Sequence, residues 1–249
     1  MKVLKLLAFT CCLIPFDLFA QNPTSVEGDL YQSFKKIGYW YSYRFEHKGN
    51  ADTSVNAIDS VDNANRRFGE KLKNYTAAYR FTLTEPFEKF NDTQLGIVSS
   101  DDGLFRIYSW DTFMGGTMRF YENVFQYKSG AEVHSILQKR DTSANGYIYR
   151  YTALQTFEAN GTIYYLATYM GRFSTKDMIS GIQVFSVQNG KLNSDVKLIK
   201  TDDGLQNKLS YHFNIFTING DIKDKDIHFN SLLKTITLSA VGVRGKLIN

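Results

Sequence analysis

Cysteine is almost absent from the sequence. Its only two cysteines, Cys11 and Cys12, lie within the first twenty residues. If that segment is removed on export, the rest of the 249-residue chain contains no thiol. We therefore expect a mature chain without disulfide bonds, thiol catalysis or cysteine-ligated zinc. Its stability must come from a hydrophobic core, which a chain of this length is able to form.

Long apolar runs and proline are also scarce. After the first twenty residues, no stretch approaches the roughly eighteen uninterrupted apolar residues that a membrane-spanning helix needs. We therefore expect a soluble mature protein without a membrane span. The chain contains three prolines, so little in the sequence blocks the pairing of β-strands.

Recognisable catalytic and cofactor-binding motifs are missing. The sequence has no G-x-S-x-G, no H-E-x-x-H and no phosphate-binding loop, and its four histidines are scattered. The formal net charge is +4, and no run of lysine and arginine interleaves with aromatic residues. We therefore expect no cofactor and no nucleic-acid partner.

The first twenty residues, MKVLKLLAFTCCLIPFDLFA, have the layout of a secretory signal peptide. Lys2 and Lys5 form a charged start, an apolar run covers residues 6–16, and Ala20 precedes the expected cleavage site. The sequence thus predicts an exported protein, periplasmic or extracellular, whose mature chain begins at Gln21.

Two segments near the start of the mature chain show the apolar period of amphipathic helices. The first covers residues 25–45 and the second covers residues 61–79. Asp59 or Ser60 is placed to cap the second helix. Because a polar connection separates the segments, we predict an antiparallel helical hairpin in the region 21–92.

From about residue 95 the apolar period changes to two, which indicates β-strands. Asn-Gly pairs are typical of type I′ hairpin turns, because both residues tolerate positive φ. Four such pairs begin at Asn145, Asn160, Asn189 and Asn219. We predict strands at 104–110, 118–127, 132–138, 147–156, 162–169, 181–187, 209–217 and 235–241.

Together these patterns predict an α+β fold. The helical hairpin packs on a mostly antiparallel, meander-rich β-sheet region over 93–249, and 21–249 forms one domain. The alternative is a helical cap on a β-sandwich or a partial β-propeller. The motif Asp-Asp-Gly-Leu occurs at 101–104 and again at 202–205, so a fold built from repeated sheet units is a further alternative.

The stretch SSDDGLFRIYSWDTFMGGTM, residues 99–118, is the first candidate for a ligand site. It lacks the ligand spacing of an EF-hand and the glycine spacing of a phosphate loop. Strand alternation places Arg106, Tyr108 and Trp110 on one face, next to Asp111. If exposed, this face would stack against a sugar or another planar ligand. The alternative is a strand covered on both faces, with the helical hairpin over one of them.

The segment DIKDKDIH is a candidate metal site. It places Asp224, Asp226 and His228 at alternate positions, so in a strand their side chains share a face. The alternative is a polar hairpin tip on an outer strand, because Lys223 and Lys225 alternate with these residues.

Four segments carry a resemblance to a known family. They are SSDDGLFRIYSWDT, ENVFQYKSG, VFSVQNGKLN and KTDDGLQNKLSYHFN. Over roughly residues 94–240 the chain resembles a family of uncharacterised exported proteins of the Bacteroidota, which has no established activity. The resemblance implies an exported location and a build of helices plus sheets, and it assigns no catalytic residue.

These features favour a non-enzymatic extracytoplasmic binding module for a glycan or cell-envelope component. Its expected site is formed by Arg106, Tyr108, Trp110 and Asp111. A hydrolase acting on an envelope or dietary polymer is one alternative, and a structural envelope protein is another. A pocket with two buried carboxylates would favour the hydrolase, and an open aromatic strip would favour the binding module.

Overall fold

The structure is a computed structural model that describes residues 22–46, 56–138, 147–216, 227–230, 233–238 and 244–247. The expected signal peptide, residues 1–20, lies outside these ranges. Within them, no helix has the length and apolar character that crossing a membrane requires.

The predicted helical hairpin is formed by α1 (Pro23–Glu46) and α2 (Ala57–Ala78). Their shared core contains Val26, Leu30, Phe34 and Ile37 of α1 and Val61, Ala64, Phe68 and Leu72 of α2. The predicted cap of α2 was wrong. Asn56 caps it instead, because its Oδ1 accepts the N–H groups of Ile58 (3.1 Å) and Asp59 (3.2 Å), which have no acceptor within the helix.

The described residues also form fourteen short to medium strands. They are β1 (Gly96–Ser99), β2 (Phe105–Asp111), β3 (Tyr121–Ser129), β4 (Glu132–Gln138), β5 (Arg150–Ala159), β6 (Thr162–Arg172), β7 (Asp177–Gln188), β8 (Lys191–Asn193), β9 (Ile199–Thr201), β10 (Gly204–Gln206), β11 (Lys208–Asn214), β12 (Ile227–Asn230), β13 (Thr235–Leu238) and β14 (Arg244–Leu247).

These strands build three antiparallel sheets. The first sheet is a meander with the order β1-β2-β3-β4. The second has the order β11-β7-β6-β5, and β8 pairs with β7 at its margin. The third has the order β10-β9-β14-β13-β12. The α+β fold with antiparallel, meander-rich sheets is therefore confirmed.

The helices and sheets stack as successive layers. The helical hairpin shares one core with Tyr108, Trp110 and Val124 on one face of the first sheet. The other face of that sheet packs on the second sheet, through residues such as Phe105 and Phe185. The opposite face of the second sheet shares a third core with β9, β12 and β13. The two central strands of the first sheet, β2 and β3, are thus covered on both faces.

Two of the four predicted Asn-Gly turns fall on described residues. Asn160 and Gly161 have φ of 51° and 69°, and Asn189 and Gly190 have φ of 51° and 76°. Both pairs connect adjacent antiparallel strands, β5 to β6 and β7 to β8. The pairs that begin at Asn145 and Asn219 lie outside the described residues.

Candidate functional site

The exposed aromatic ladder predicted on β2 was wrong. Every residue of β2 is buried, and the side chains of Tyr108 and Trp110 are 0% exposed. The helical hairpin covers their face, and the second sheet covers the opposite face. The alternative prediction, a strand covered on both faces, is the correct one.

The polar atoms of this ladder are paired inside the protein. The indole N–H of Trp110 donates to Asn65 Oδ1 at 3.0 Å, and the hydroxyl of Tyr108 donates to the Thr82 carbonyl at 2.7 Å. Arg106 donates from Nη1 to the carbonyls of Thr82 (2.8 Å) and Glu85 (2.6 Å). These groups fasten β2 to α2 and to the chain that follows it, because buried polar groups need such partners.

Asp111, at the end of β2, differs from the other three predicted residues. It lines a pocket of about 500 Å³ where β1 and the end of β2 meet β5 and β6. We call this the arginine pocket, because its charged residues are Asp111, Arg119, Arg150 and Arg172. Three guanidinium groups thus surround a single carboxylate.

Asp111 and Arg119 form an ion pair on one side of the pocket. Arg119 Nη1 lies 3.2 Å from Asp111 Oδ2, while the N–H of Phe113 donates to Oδ1 at 2.8 Å. Burial raises the pKa of Asp111, and the bonds from Phe113 and Arg119 oppose that rise. The backbone N–H of Arg119 donates to the Arg172 carbonyl at 3.0 Å and ties this side of the pocket to β6.

Arg150 and Arg172 lie on the other side of the arginine pocket. Within the described part of the chain, neither side chain has a hydrogen bond or an ion pair. Arg150 pairs in register with Met170, two residues before Arg172, so the two arginines are diagonal neighbours on one face of the sheet. Two half-buried guanidinium groups therefore converge on the pocket with their donors unused.

A β-bulge between Tyr151 and Ala153 produces this convergence. The turn pairs Ala159 with Thr162, and an uninterrupted hairpin would place Arg150 opposite Gly171. Since side chains alternate along a strand, Arg150 and Arg172 would then lie on opposite faces. The extra residue in β5 moves Arg150 to the face that carries Arg172.

Gly96 on β1 makes room for Arg150. A Cβ atom at Gly96 would lie 3.1 Å from Nε of Arg150 and 3.2 Å from its Nη2. The guanidinium group therefore rests against bare backbone, which a larger residue would not allow without displacing it.

The pKa of Tyr121 depends on the charged groups of the arginine pocket. Burial raises the pKa of its phenol, the Asp111 carboxylate raises it further, and Arg150, Arg119 and Arg172 lower it. The Tyr121 side chain is thus within electrostatic reach of all four charged groups. It is a neutral hydrogen-bonding group that lines the same pocket.

The predicted metal site is not tested by the structure. Asp224 and Asp226 lie outside the described residues, and of His228 only the backbone position in β12 is described. Among the residues that are described, no group of three or more histidine, cysteine or acidic side chains is placed to hold a metal ion.

Sequence reasoning missed Arg119, Tyr121, Arg150 and Arg172. They come from the loop before β3 and from three different strands, so no local spacing connects them.

Comparisons with protein-family models, curated proteins and solved structures find no match to this chain.

Proposed function

We propose that the protein is an exported, non-enzymatic binding module that holds an acidic glycan, or another acidic component of the cell envelope, in the arginine pocket. The observation that carries this proposal is the pair of half-buried arginines, Arg150 and Arg172, whose side chains make no hydrogen bond or ion pair within the described chain. An acidic ligand would supply the acceptors that these two side chains lack.

The chemistry of guanidinium groups supports an acidic ligand. Arginine presents planar donors that match carboxylate and phosphate oxygens in pairs, and such charge-assisted bonds are stronger than neutral ones. Asp111 forms its ion pair with Arg119 and interacts with Arg150 only through longer-range electrostatics, so three guanidinium groups against one carboxylate leave an excess of positive charge in the pocket. Ile97, Met170 and Met178 add apolar surface to the lining, against which a ring can rest.

A binding function accounts for this site better than hydrolysis does. Glycoside hydrolysis generally needs two carboxyl groups, one on each side of the scissile bond. The described residues that line the arginine pocket include one carboxylate, and an ion pair with Arg119 holds it. We propose export on the signal-peptide features of residues 1–20. We propose membership of the Bacteroidota family on the resemblance over residues 94–240.

Calorimetric titration with trigalacturonic acid, and with the neutral trimer of galactose, tests the proposal. We expect the acidic trimer to bind and the neutral trimer not to bind. Arg150→Gln and Arg172→Gln should each weaken binding about tenfold, equivalent to ~1.4 kcal/mol. The matched control is Arg80→Gln, which removes an exposed arginine outside the pocket.

Two results would overturn the proposal. One is the absence of binding for trigalacturonic acid, for glucose 6-phosphate and for inorganic phosphate alike. The other is binding of an acidic ligand that the double variant of Arg150 and Arg172 retains at full affinity.

A further inference from the structure

We infer that a second pocket, between the first and second sheets, binds one ring of a neutral sugar. This aromatic pocket has a volume of about 300 Å³, and its walls include Phe125, Gln138, Tyr147, Tyr149 and Phe185. The inference does not rest on the function proposed for the arginine pocket, because it concerns a ligand without charge and, apart from Tyr151, which lines both pockets, different side chains.

Two tyrosines of the aromatic pocket contact aromatic rings that do not line it. The ring of Tyr149 stacks on Tyr169 with centroids 4.7 Å apart and planes 10° apart. The ring of Tyr147 meets Phe173 edge to face at 4.9 Å, although Tyr147 is 48% exposed. Since these contacts fix the rings before any ligand arrives, little conformational freedom is lost on binding.

Polar groups with unused donors or acceptors accompany these rings. Gln138 accepts a bond from Asn123 Nδ2 at 2.9 Å through its Oε1, and its own amide protons have no acceptor among the described residues. The exposed Lys208 at the pocket also has no partner in the described ranges. Behind the wall, the fully buried Oδ1 of Asn123 is an acceptor without a described donor.

This combination of groups fits a sugar ring. The C–H face of a pyranose packs on aromatic rings, and its hydroxyls both donate to and accept from amide and amine groups. The volume of the aromatic pocket lies at the lower end of the range for ligand pockets, which suits one ring rather than a long chain. Among the described residues that line the pocket there is no carboxylate, and the one cation, Lys208, lies exposed.

Saturation-transfer NMR on the mature chain tests the inference. The probes are the methyl pyranosides of glucose, galactose, mannose and N-acetylglucosamine at millimolar concentration, with para-cresol as an aromatic competitor. We expect at least one pyranoside to bind through its C–H face and to shift the side-chain amide signal of Gln138. Tyr147→Ala and Lys208→Met should each weaken that binding about tenfold. Both positions are partly or largely exposed, so these variants should fold.

Control variants separate this site from the arginine pocket. Tyr39→Ala removes an exposed tyrosine from α1, and it should leave pyranoside binding unchanged. The double variant of Arg150 and Arg172 to Gln should also leave it unchanged, whatever that variant does to acidic ligands. The inference is overturned if no pyranoside binds, if Tyr147→Ala binds as well as the parent, or if para-cresol alone occupies the pocket.

Discussion

The indole N–H of Trp110 donates to Oδ1 of Asn65 across 3.0 Å, and both side chains are buried. The same Asn65 donates through Nδ2 to the carbonyl of Thr112 at 2.8 Å. One amide thus joins α2 to the end of β2, immediately beside Asp111. Because Asp111 lines the arginine pocket, the helical layer helps to fix the strand end on which the candidate site is built.

Replacing Trp110 with alanine should strongly destabilise the fold. The change removes a fully buried ring that meets Phe68 edge to face at 5.0 Å, and it leaves Asn65 Oδ1 without a donor. We expect a loss of about 3 to 5 kcal/mol in the free energy of unfolding, measured by urea denaturation. Tyr39→Ala, at an exposed ring, is the control. A loss below about 1 kcal/mol would contradict the burial of Trp110.

Replacing Gly190 with valine should destabilise the turn between β7 and β8. Gly190 has φ of 76°, where a β-branched residue is strained. We expect a cost of about 1 to 3 kcal/mol in chemical denaturation. Gly116→Val is the matched control, because Gly116 has open space around it and no positive φ. Equal stability of the two variants would show that the turn does not need glycine.

The contact between Asp29 and Lys71 should make stability depend on acidic pH. Burial raises the pKa of Asp29, but hydrogen bonds from Lys71 (2.7 Å) and Tyr75 (2.6 Å) outweigh it and hold the pKa below 3.8. The stabilisation is therefore present above pH 3.8 and is lost as the pH falls through the folded-state pKa.

The comparison of Asp29→Asn with the parent chain measures this effect. At pH 6 the variant should be less stable by about 0.5 to 1 kcal/mol, since the pair is partly exposed to solvent. The difference should shrink steadily below pH 3.8. Asp62→Asn changes an exposed carboxylate of α2 and serves as the control. A difference that stays constant down to pH 2 would contradict the assigned contact.

Buried tyrosines should make the protein sensitive to alkaline pH. Burial raises the pKa of Tyr108 to about 12 and that of Tyr169 to about 12. These phenols ionise near pH 10 once unfolded, so their stabilisation is complete below pH 10 and is lost as the pH rises through 12. Urea denaturation at pH 8 to 11 should show stability falling above pH 10.

The variant Tyr108→Phe isolates one of these contributions. It should be less stable at pH 8, because the Thr82 carbonyl loses a donor, but its stability should fall less steeply above pH 10. Tyr39→Phe, at an exposed ring, should keep the slope of the parent chain. An unchanged slope in Tyr108→Phe would contradict the buried, protonated state of this phenol.

Periodicity was sufficient to predict the helical hairpin and the longer strands. A helix of 24 residues or a strand of 12 residues repeats its pattern often enough to be recognised. Strands of three residues, such as β8, β9 and β10, show too little alternation to be recognised, and their pairing depends on distant partners. The sequence therefore predicted the fold class but did not predict most strands of the third sheet.

The candidate site was much harder to predict. Alternation correctly divided the side chains of β2 between two faces, but it carries no information on whether a second layer covers the aromatic face. The predicted turn at Asn160 does bring Arg150 near the end of β6. The bulge after Tyr151, which puts Arg150 on the same face as Arg172, has no sequence signal that we recognise.

The most direct test of the central claim follows the side-chain Nε–Hε NMR signals of the arginines during titration with trigalacturonic acid. We expect saturable shifts at Arg150 and Arg172, with the signal of Arg80 unchanged. Shifts of equal size at all arginines, or shifts that avoid Arg150 and Arg172, would contradict it and would remove the arginine pocket as the ligand site.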